Sequence, residues 1–207
     1  MTRVYFVRHA QSAFDREDDR TRPLTAEGEE DSKAVLAFLQ DKNIDVFYCS
    51  PYTRSVETIA ETAKYYSKEI LTDERLRERA KGADGNNHGM FQKRWADHDY
   101  HEEGGESLNM TKERNVAALQ DILRDNEGKN IVIGTHGTAL STILHFYDSS
   151  YNCDSFLRII DWMPYIIELD FEGTRLVEKT EHLHIEKEFK GKARADKDTA
   201  HLRPSAI

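Results

Sequence analysis

Two short apolar runs that lack a helical or alternating pattern place the strongest restriction on the fold of this chain. One is Val4-Tyr5-Phe6-Val7, and the other is Ile131-Val132-Ile133, which lies between Asn130 and Gly134. An apolar run of this length without a period is typical of a short strand buried on both faces. Such strands occur in parallel sheets whose two faces are covered by helices. The two runs therefore predict central strands of an α/β protein.

Helical and strand-like segments alternate along most of the remaining chain. The second predicted helix has Ser50 as its N-cap and Pro51 at its first position. This alternation predicts a three-layer α/β/α sandwich around a mostly parallel sheet. The predicted helices are 25–39, 50–67, 107–126 and 137–146; the predicted strands are 45–49 and 68–71, with a hairpin over 165–171 and 174–179.

A single domain is expected to span residues 1–183. Residues 80 to about 106 interrupt the alternation with several glycines and histidines, and they predict a lid-like excursion with one short helix around 90–97. Residues 184–207 are charged and lack periodic apolar residues, which predicts a C-terminal tail on the surface.

Charge and hydrophobicity disfavour several classes of partner. The formal net charge is −9 with 32% charged residues, which argues against nonspecific binding to nucleic acid or to an anionic membrane surface. No apolar stretch approaches the ~20 residues of a membrane span, and the first residues lack the layout of a signal peptide. Cys49 and Cys153 have neither redox nor zinc spacing. We therefore expect free thiols in a cytoplasmic protein, with a bridge between the two left open.

Chemically active side chains directly follow both central strands. Arg8 and His9 come after the first run, and His136 follows the second, where a helix opens with Gly137. Open α/β sheets bind their ligands at the carboxyl ends of the strands. An arginine fork suits phosphate, a neutral histidine offers a nucleophilic or basic nitrogen, and N–H groups at a helix start add affinity for an anion. The two strand ends therefore predict an anion-binding site with two histidines.

Two further side chains are candidates for this site. Arg54 lies about one turn into the helix after the 45–49 strand, and Glu78 lies within Arg75-Leu76-Arg77-Glu78-Arg79. Taken alone, Arg54 is more typical of a solvated helix surface and Glu78 of weak surface ion pairs. The order in which these residues and the strand-end residues follow one another along the chain favours a role for Arg54 and Glu78 in the anion-binding site.

Five elements in a fixed order resemble the histidine phosphatase superfamily, also called the phosphoglycerate mutase-like family. The resemblance covers roughly residues 3–140 and includes the entry to the first helix, Leu24-Thr25-Ala26-Glu27-Gly28. Each element alone is weak, and their common order makes the signal specific. The elements are Arg8-His9, Ser50-Pro51-Tyr52-Thr53-Arg54, Leu76-Arg77-Glu78, Gly104-Gly105-Glu106-Ser107 and His136-Gly137.

The resemblance implies a role for each matched residue. His9 would be the nucleophile that is phosphorylated on a ring nitrogen, and Glu78 would protonate the leaving alcohol and then activate water. Positioned cations would do the electrostatic work, so that no metal and no other cofactor is expected. The catalytic set is His9, Glu78, His136, Arg8 and Arg54, and substrate binding is expected from Arg8, Gln11, Ser12, Arg54, His136 and Gly137.

Two positions depart from the family pattern. Ala10 stands where glycine commonly follows the nucleophile, and Asp15 stands where an asparagine often contacts phosphate. Ala10 is a mild change if the backbone angles permit it. Asp15 would bring a carboxylate near a phosphate dianion, so it is expected to turn away, to pair with Arg16 or Arg20, or to accept a hydrogen bond from the substrate.

The leading prediction is a metal-independent phosphomonoester hydrolase that acts on a small phosphorylated metabolite through phosphohistidine. A phosphoglycerate mutase-type transfer and a noncatalytic phospholigand-binding protein are the alternatives. The expected partner is a small phosphorylated substrate, without nucleic acid or membrane, and a homodimer is left open. The acidic residues and histidines of the excursion fit no named zinc pattern, so a solvated acidic loop is expected there. If that loop overhangs the pocket, it would disfavour highly phosphorylated substrates.

Overall fold

A six-stranded mixed sheet forms the centre of the structure, a computed structural model that describes residues 1–14, 18–82 and 88–188. The strand order is β3-β2-β4-β1-β5-β6; the first four run parallel, and β5 and β6 form an antiparallel hairpin at one edge. The predicted mostly parallel sheet is confirmed, and the hairpin strands are longer than predicted. The strands are β1 (Thr2–Arg8), β2 (Val46–Cys49), β3 (Ile70–Thr72), β4 (Asn130–Thr135), β5 (Trp162–Glu172) and β6 (Arg175–Glu186).

Two helices begin at the residues where the sequence predicts a helix start, Thr25 and Ser107. Thr25 accepts a hydrogen bond from the N–H of Gly28, and Ser107 accepts one from the N–H of Met110, so each caps the helix that follows it. Within the described ranges the helices are α1 (Ala26–Leu39), α2 (Thr53–Tyr65), α3 (His88–Ala96), α4 (Leu108–Asp125), α5 (Gly137–Tyr147) and α6 (Cys153–Arg158).

The start of α2 differs from the prediction. Ser50 is not its N-cap; that position is held by Tyr52, which makes no side-chain capping bond. The hydroxyl of Ser50 is instead 2.7 Å from Nε2 of His136, so it belongs to the neighbouring strand end. The short helix α6 was also not predicted, because six residues are too few to show a helical period.

Apolar side chains fill both faces of the sheet, as the unpatterned runs predict. Val4 and Phe6 of β1 join the core beneath α4 and α5, whereas Tyr5 and Val7 join the core beneath α1 and α2. Successive residues of a strand point to opposite faces, so β1 contributes to both cores. Helices on both faces of the sheet confirm the three-layer α/β/α architecture.

The parallel pairing brings three strand ends to one edge of the sheet. The N–H of His9 donates to Thr135 O at 3.1 Å, and the N–H of Ser50 donates to Gly134 O at 3.0 Å. These bonds continue the β1–β4 and β2–β4 ladders by one residue. The residues that follow β1, β2 and β4 are therefore neighbours in space although they are far apart in the chain.

The 80–106 excursion is tied to the rest of the protein by buried ion pairs. The side chains of Glu102 and Glu106 are only 1% and 10% exposed. The expected solvated acidic loop is therefore wrong for Glu102, whereas Glu106 belongs to the matched element Gly104-Gly105-Glu106-Ser107. Each carboxylate is neutralised by two arginines, which offsets the cost of burying its charge. The pairs are Glu102 with Arg79 and Arg94, and Glu106 with Arg77 and Arg114.

The C-terminal part of the chain is more ordered than predicted up to residue 188. β6 continues to Glu186, so the predicted start of the tail at 184 falls inside a strand. The remainder of the predicted tail, 189–207, lies outside the described residues. In the part of the chain that the structure describes, the helices are too short or too polar to cross a membrane.

Candidate active site

His9 lies at the carboxyl end of β1 with one ring nitrogen fixed. Its Nδ1 is 2.7 Å from Ala10 O, and a carbonyl oxygen can only accept, so Nδ1 carries the proton and Nε2 keeps a lone pair. The N–H of Ala10 donates in turn to the hydroxyl of Thr58 at 3.0 Å, which holds this peptide in place. Burial, with the charges of Arg54 and Arg8, holds the pKa of His9 well below its ordinary value, so the ring is neutral at neutral pH.

Besides Arg79, three arginines line the cavity that also contains His9. Arg8 ends β1, Arg54 lies in the first turn of α2, and Arg22 lies in the loop before α1; all three side chains are buried. The Nε atom of each is buried and has no hydrogen-bond partner among the described residues. A buried donor without a partner costs free energy, whereas an anionic oxygen satisfies it with a strong hydrogen bond. The three guanidinium groups therefore form a cradle suited to a phosphoryl group.

The guanidinium of Arg8 is held by the segment that joins α6 to β5. It donates from Nη1 to Ile159 O and from Nη2 to Ile160 O, the latter at 3.0 Å. Burial lowers the pKa of Arg8 to about 10, so the group remains charged at neutral pH. A Cβ on Gly137 would lie 3.3 Å from Cζ of Arg8, so the glycine that opens α5 leaves room for the guanidinium.

Asp19 and Arg22 belong to this site and are missing from the sequence prediction. The Asp19 carboxylate lies 3.1 Å from Arg22, 3.6 Å from Arg54 and 3.4 Å from Lys81. Burial raises the pKa of Asp19, but these three cations outweigh it and hold the pKa below its ordinary value. Both residues lie in the irregular segment before α1, where no period marks a residue as buried. The one signal for Arg22 is its position just before the matched run that starts at Leu24.

Glu78 lies at the N-terminus of α5. Its Oε2 accepts from the N–H of Thr138 at 2.9 Å, and its Oε1 accepts from the N–H of Ala139 at 3.0 Å and of Arg79 at 2.7 Å. The first N–H groups of a helix lack partners within the helix, and a carboxylate is stabilised there by the helix dipole. Two of the N–H groups expected to bind a substrate anion are therefore taken by Glu78, which also lines the cavity.

His136 lies beside His9 but behind the cavity. Its ring packs edge-on between His9, 5.3 Å away between centroids, and Tyr52, 5.2 Å away. Its Nε2 bonds to the Ser50 hydroxyl at 2.7 Å, and its Nδ1 is buried without a partner among the described residues. Burial and the charge of Arg54 hold the pKa of His136 well below its ordinary value, so this ring is also neutral. His136 is not among the residues that line the cavity.

Gln11 and Ser12 lie next to the site without lining the cavity. Oε1 of Gln11 accepts from the Thr25 hydroxyl at 2.8 Å. A Cβ on Gly28 would lie 2.1 Å from Gln11 O, which explains the glycine in the first turn of α1. The hydroxyl of Ser12 is buried with no partner among the described residues.

The two departures from the family pattern have different outcomes. Ala10 is not among the residues with a positive φ, so its backbone does not require glycine. The change from glycine to alanine at this position is therefore mild, as predicted. Asp15 and Arg16 lie outside the described residues, and the interpretations of Asp15 stay predictions.

The cavity that these residues share has a charged part and an apolar part. Arg8, Arg22 and Arg54 line the charged part near His9. The Nζ of Lys81 and the guanidinium of Arg79 add positive charge beside Asp19 and Glu78. The apolar lining residues are Phe14, Phe91, Phe156, Ile160 and Met163.

The fold and this cationic histidine site define a class of phosphoryl-transfer protein. The family model of the histidine phosphatase superfamily (branch 1) matches residues 4–159, and the chain belongs to this superfamily. The resemblance stated from the sequence is confirmed, and family membership supports an enzyme that acts on phosphate esters.

Individual relatives are distant and are named for different activities. The chain is 28% identical to a probable phosphoglycerate mutase of Enterobacter sp. (strain 638) over 165 residues, which cover 70% of this chain and 74% of the relative. It is 25% identical to phosphoserine phosphatase 1 of Hydrogenobacter thermophilus over 157 residues, which cover 66% and 71%.

Solved structures share the fold at low identity. YhfR of Bacillus stearothermophilus superposes with a TM-score of 0.70 at 23% identity, covering 86% of this chain and 95% of that one. An Entamoeba histolytica phosphoserine phosphatase variant in complex with phosphoserine superposes with a TM-score of 0.72 at 19% identity, covering 89% and 96%.

Proposed function

We propose that the protein is a metal-independent phosphomonoesterase that hydrolyses a small phosphorylated metabolite through a phosphohistidine at His9. The observation that carries this proposal is the state of the His9 ring. Its Nδ1 proton is held by Ala10 O, and its neutral form leaves a lone pair on Nε2. Arg8, Arg22 and Arg54, all buried, share the same cavity. A neutral nucleophile within a cationic cradle suits attack on an anionic phosphorus centre.

The first step is displacement of the alcohol at phosphorus. Nε2 of His9 forms the N–P bond while the bond from phosphorus to the ester oxygen breaks. Arg8, Arg22 and Arg54 stabilise the charge on the nonbridging oxygens. The ring gains positive charge in this step, which strengthens the hydrogen bond from Nδ1 to Ala10 O.

Glu78 acts in both steps. Protonated, it gives its proton to the departing alkoxide; ionised, it then takes a proton from the water that attacks phosphorus. The new P–O bond forms as the N–P bond breaks, which returns neutral His9, protonated Glu78 and inorganic phosphate. The N–H groups of Thr138, Ala139 and Arg79 hold this carboxyl group at the edge of the cavity.

Hydrolysis is preferred to mutase activity because of the apolar part of the cavity. A mutase rebinds a small phosphorylated acid in a second orientation, which requires polar contacts around its carboxylate and hydroxyl. Phe91, Phe156 and Met163 offer no such contacts. The test is whether a bisphosphate-primed protein moves phosphate between the positions of a phosphoglycerate without net release of phosphate. That result would replace the proposed hydrolase activity by a mutase activity.

Two variants test the residue roles. His9→Ala is expected to abolish turnover and the acid-labile phosphoenzyme, whereas the matched change of the exposed His101→Ala leaves both intact. Retained turnover in His9→Ala overturns the proposal. Glu78→Gln is expected to slow alkyl phosphates more than p-nitrophenyl phosphate, because a good leaving group needs less protonation. An equal loss for both substrates removes Glu78 from the acid role.

A further inference from the structure

The proposed chemistry uses only the charged part of the cavity and leaves its apolar wall without a role. Phe91 comes from α3, Phe156 from α6 and Met163 from β5, and each is at most 5% exposed. Three separate elements thus direct apolar side chains toward the same cavity as His9. A wall built in this way is a candidate for contact with the organic part of the substrate.

The apolar wall is packed from behind. The rings of Phe91 and Phe156 meet edge to face with centroids 5.2 Å apart, and Trp95 lies 6.0 Å from Phe156. Aromatic side chains supported by such contacts keep their positions and do not need to reorganise when a ligand binds. The wall is therefore supported by contacts between neighbouring aromatic side chains.

The wall and the phosphate cradle are joined through one segment of chain. The carbonyls of Ile159 and Ile160 accept from the guanidinium of Arg8, and Ile160 and Met163 line the cavity. The segment that positions a phosphate-binding arginine thus also presents apolar side chains. A phosphoryl group held by Arg8 brings the group esterified to it close to this surface.

Two further cations that line the cavity, Lys81 and Arg79, each face a carboxylate. The Nζ of Lys81 is 3.4 Å from the Asp19 carboxylate, and Nη1 of Arg79 is 3.4 Å from the Glu102 carboxylate. A carboxylate on the leaving group would have to compete for these cations and lose hydration against Phe91 and Phe156. An apolar leaving group has no charge to dehydrate, and it gains free energy when its apolar surface is buried against the wall.

We propose that the substrate is a phosphomonoester of an apolar alcohol, aromatic or branched-aliphatic, whose organic group packs on Phe91, Phe156 and Met163. This inference rests on the proposed phosphomonoesterase function. It assigns the apolar wall as the determinant of leaving-group selectivity.

The test compares alkyl esters, because aryl esters react faster for reasons unrelated to binding. 2-Phenylethyl phosphate is expected to have a kcat/KM about tenfold or more above those of phosphoserine and 3-phosphoglycerate. Equal or higher values for the two carboxylate-bearing esters overturn the apolar assignment. Phosphoenzyme formation from acetyl phosphate, which carries almost no organic group, is measured in parallel. Absence of phosphoenzyme at His9 counts against the proposed function itself, so the two failures are distinguishable.

Variants of the wall give a second, independent readout. Phe156→Leu is expected to lower the ratio of kcat/KM for 2-phenylethyl phosphate to that for phosphoserine by about fivefold. The matched control is Phe146→Leu, at a residue that is 47% exposed on α5. A ratio that changes equally in both variants, or in neither, refutes the role of the wall. If Phe156→Leu fails to fold, the comparison of esters on the wild-type protein still decides the proposal.

Discussion

Replacing Glu106 with glutamine tests how the excursion is anchored. The carboxylate accepts two hydrogen bonds from Arg77 at 2.8 Å, two from Arg114 at 3.0 and 2.8 Å, and one from the N–H of Ala80 at 2.8 Å. Glu106→Gln keeps the size of the side chain but removes its charge and leaves a donor facing the arginines. The variant is therefore expected to destabilise the fold.

The magnitude follows from the pKa of this carboxyl group. Burial alone raises the pKa of Glu106, but hydrogen bonds from Arg114, Arg77 and Ala80 lower it from 4.5 to about 2. A difference of that size corresponds to at most about 3.4 kcal/mol of stability. Because solvent screens part of the interaction, we expect about 2 kcal/mol at neutral pH. For a domain of this size that lowers Tm by about 4–8 °C.

The sign of the pH dependence is set by the lowered pKa. The ionised form is favoured in the folded protein, so the stabilisation is complete above the unfolded value of 4.5 and is lost as the pH falls toward 2. The difference in the free energy of unfolding between wild type and Glu106→Gln should thus be constant between about pH 6 and 8. At pH 3.5 this difference should be smaller by about 40%.

Urea denaturation followed by tryptophan fluorescence measures this difference. The matched control is Asp121→Asn, which removes a carboxylate that also pairs with two arginines but is 42% exposed; its effect should be close to zero. Equal effects of the two variants at pH 7, or an effect of Glu106→Gln that does not shrink in acid, refute the reasoning.

Three further predictions concern the site. The imidazole signals of His9 and His136 should stay flat in an NMR titration between about pH 5.5 and 8, because burial and Arg54 hold both pKa values well below 6.5; a midpoint near 6.5 for either contradicts this. Ser50→Ala removes the partner of His136 Nε2 at 2.7 Å and should lower kcat about tenfold; Ser50→Thr should restore activity, and equal kcat values in both variants argue against the role. Asp19→Asn removes a negative charge 3.6 Å from Arg54 and should lower the Ki of inorganic phosphate about fivefold; unchanged or weaker inhibition overturns this expectation.

The amino-acid sequence by itself determined the layers and the strand-end positions of the site. A short strand that is apolar at every position has to be buried on both of its faces. The apolar runs of β1 and β4 could therefore be recognised as central strands. Their neighbours Arg8, His9 and His136 then had to meet at one sheet edge, because parallel strands share the direction of their carboxyl ends. The helix starts at Thr25 and Ser107 were readable from the sequence for a similar reason, since a capping side chain acts within three residues of its own position.

Only the tertiary structure decided which partners each charged side chain contacts. Arg8 is held by the carbonyl of Ile160, 152 residues away, and Glu78 binds α5 across 60 residues. Glu106 stands in the matched element Gly104-Gly105-Glu106-Ser107, which does not reveal its partners; the structure pairs it with Arg77 and Arg114. A charge has no period or short-range partner that reveals its contact, so its role follows from burial and from the distant groups that packing brings beside it. The sequence thus located the nucleophile candidate, and the packing decided which cations and which apolar wall surround it.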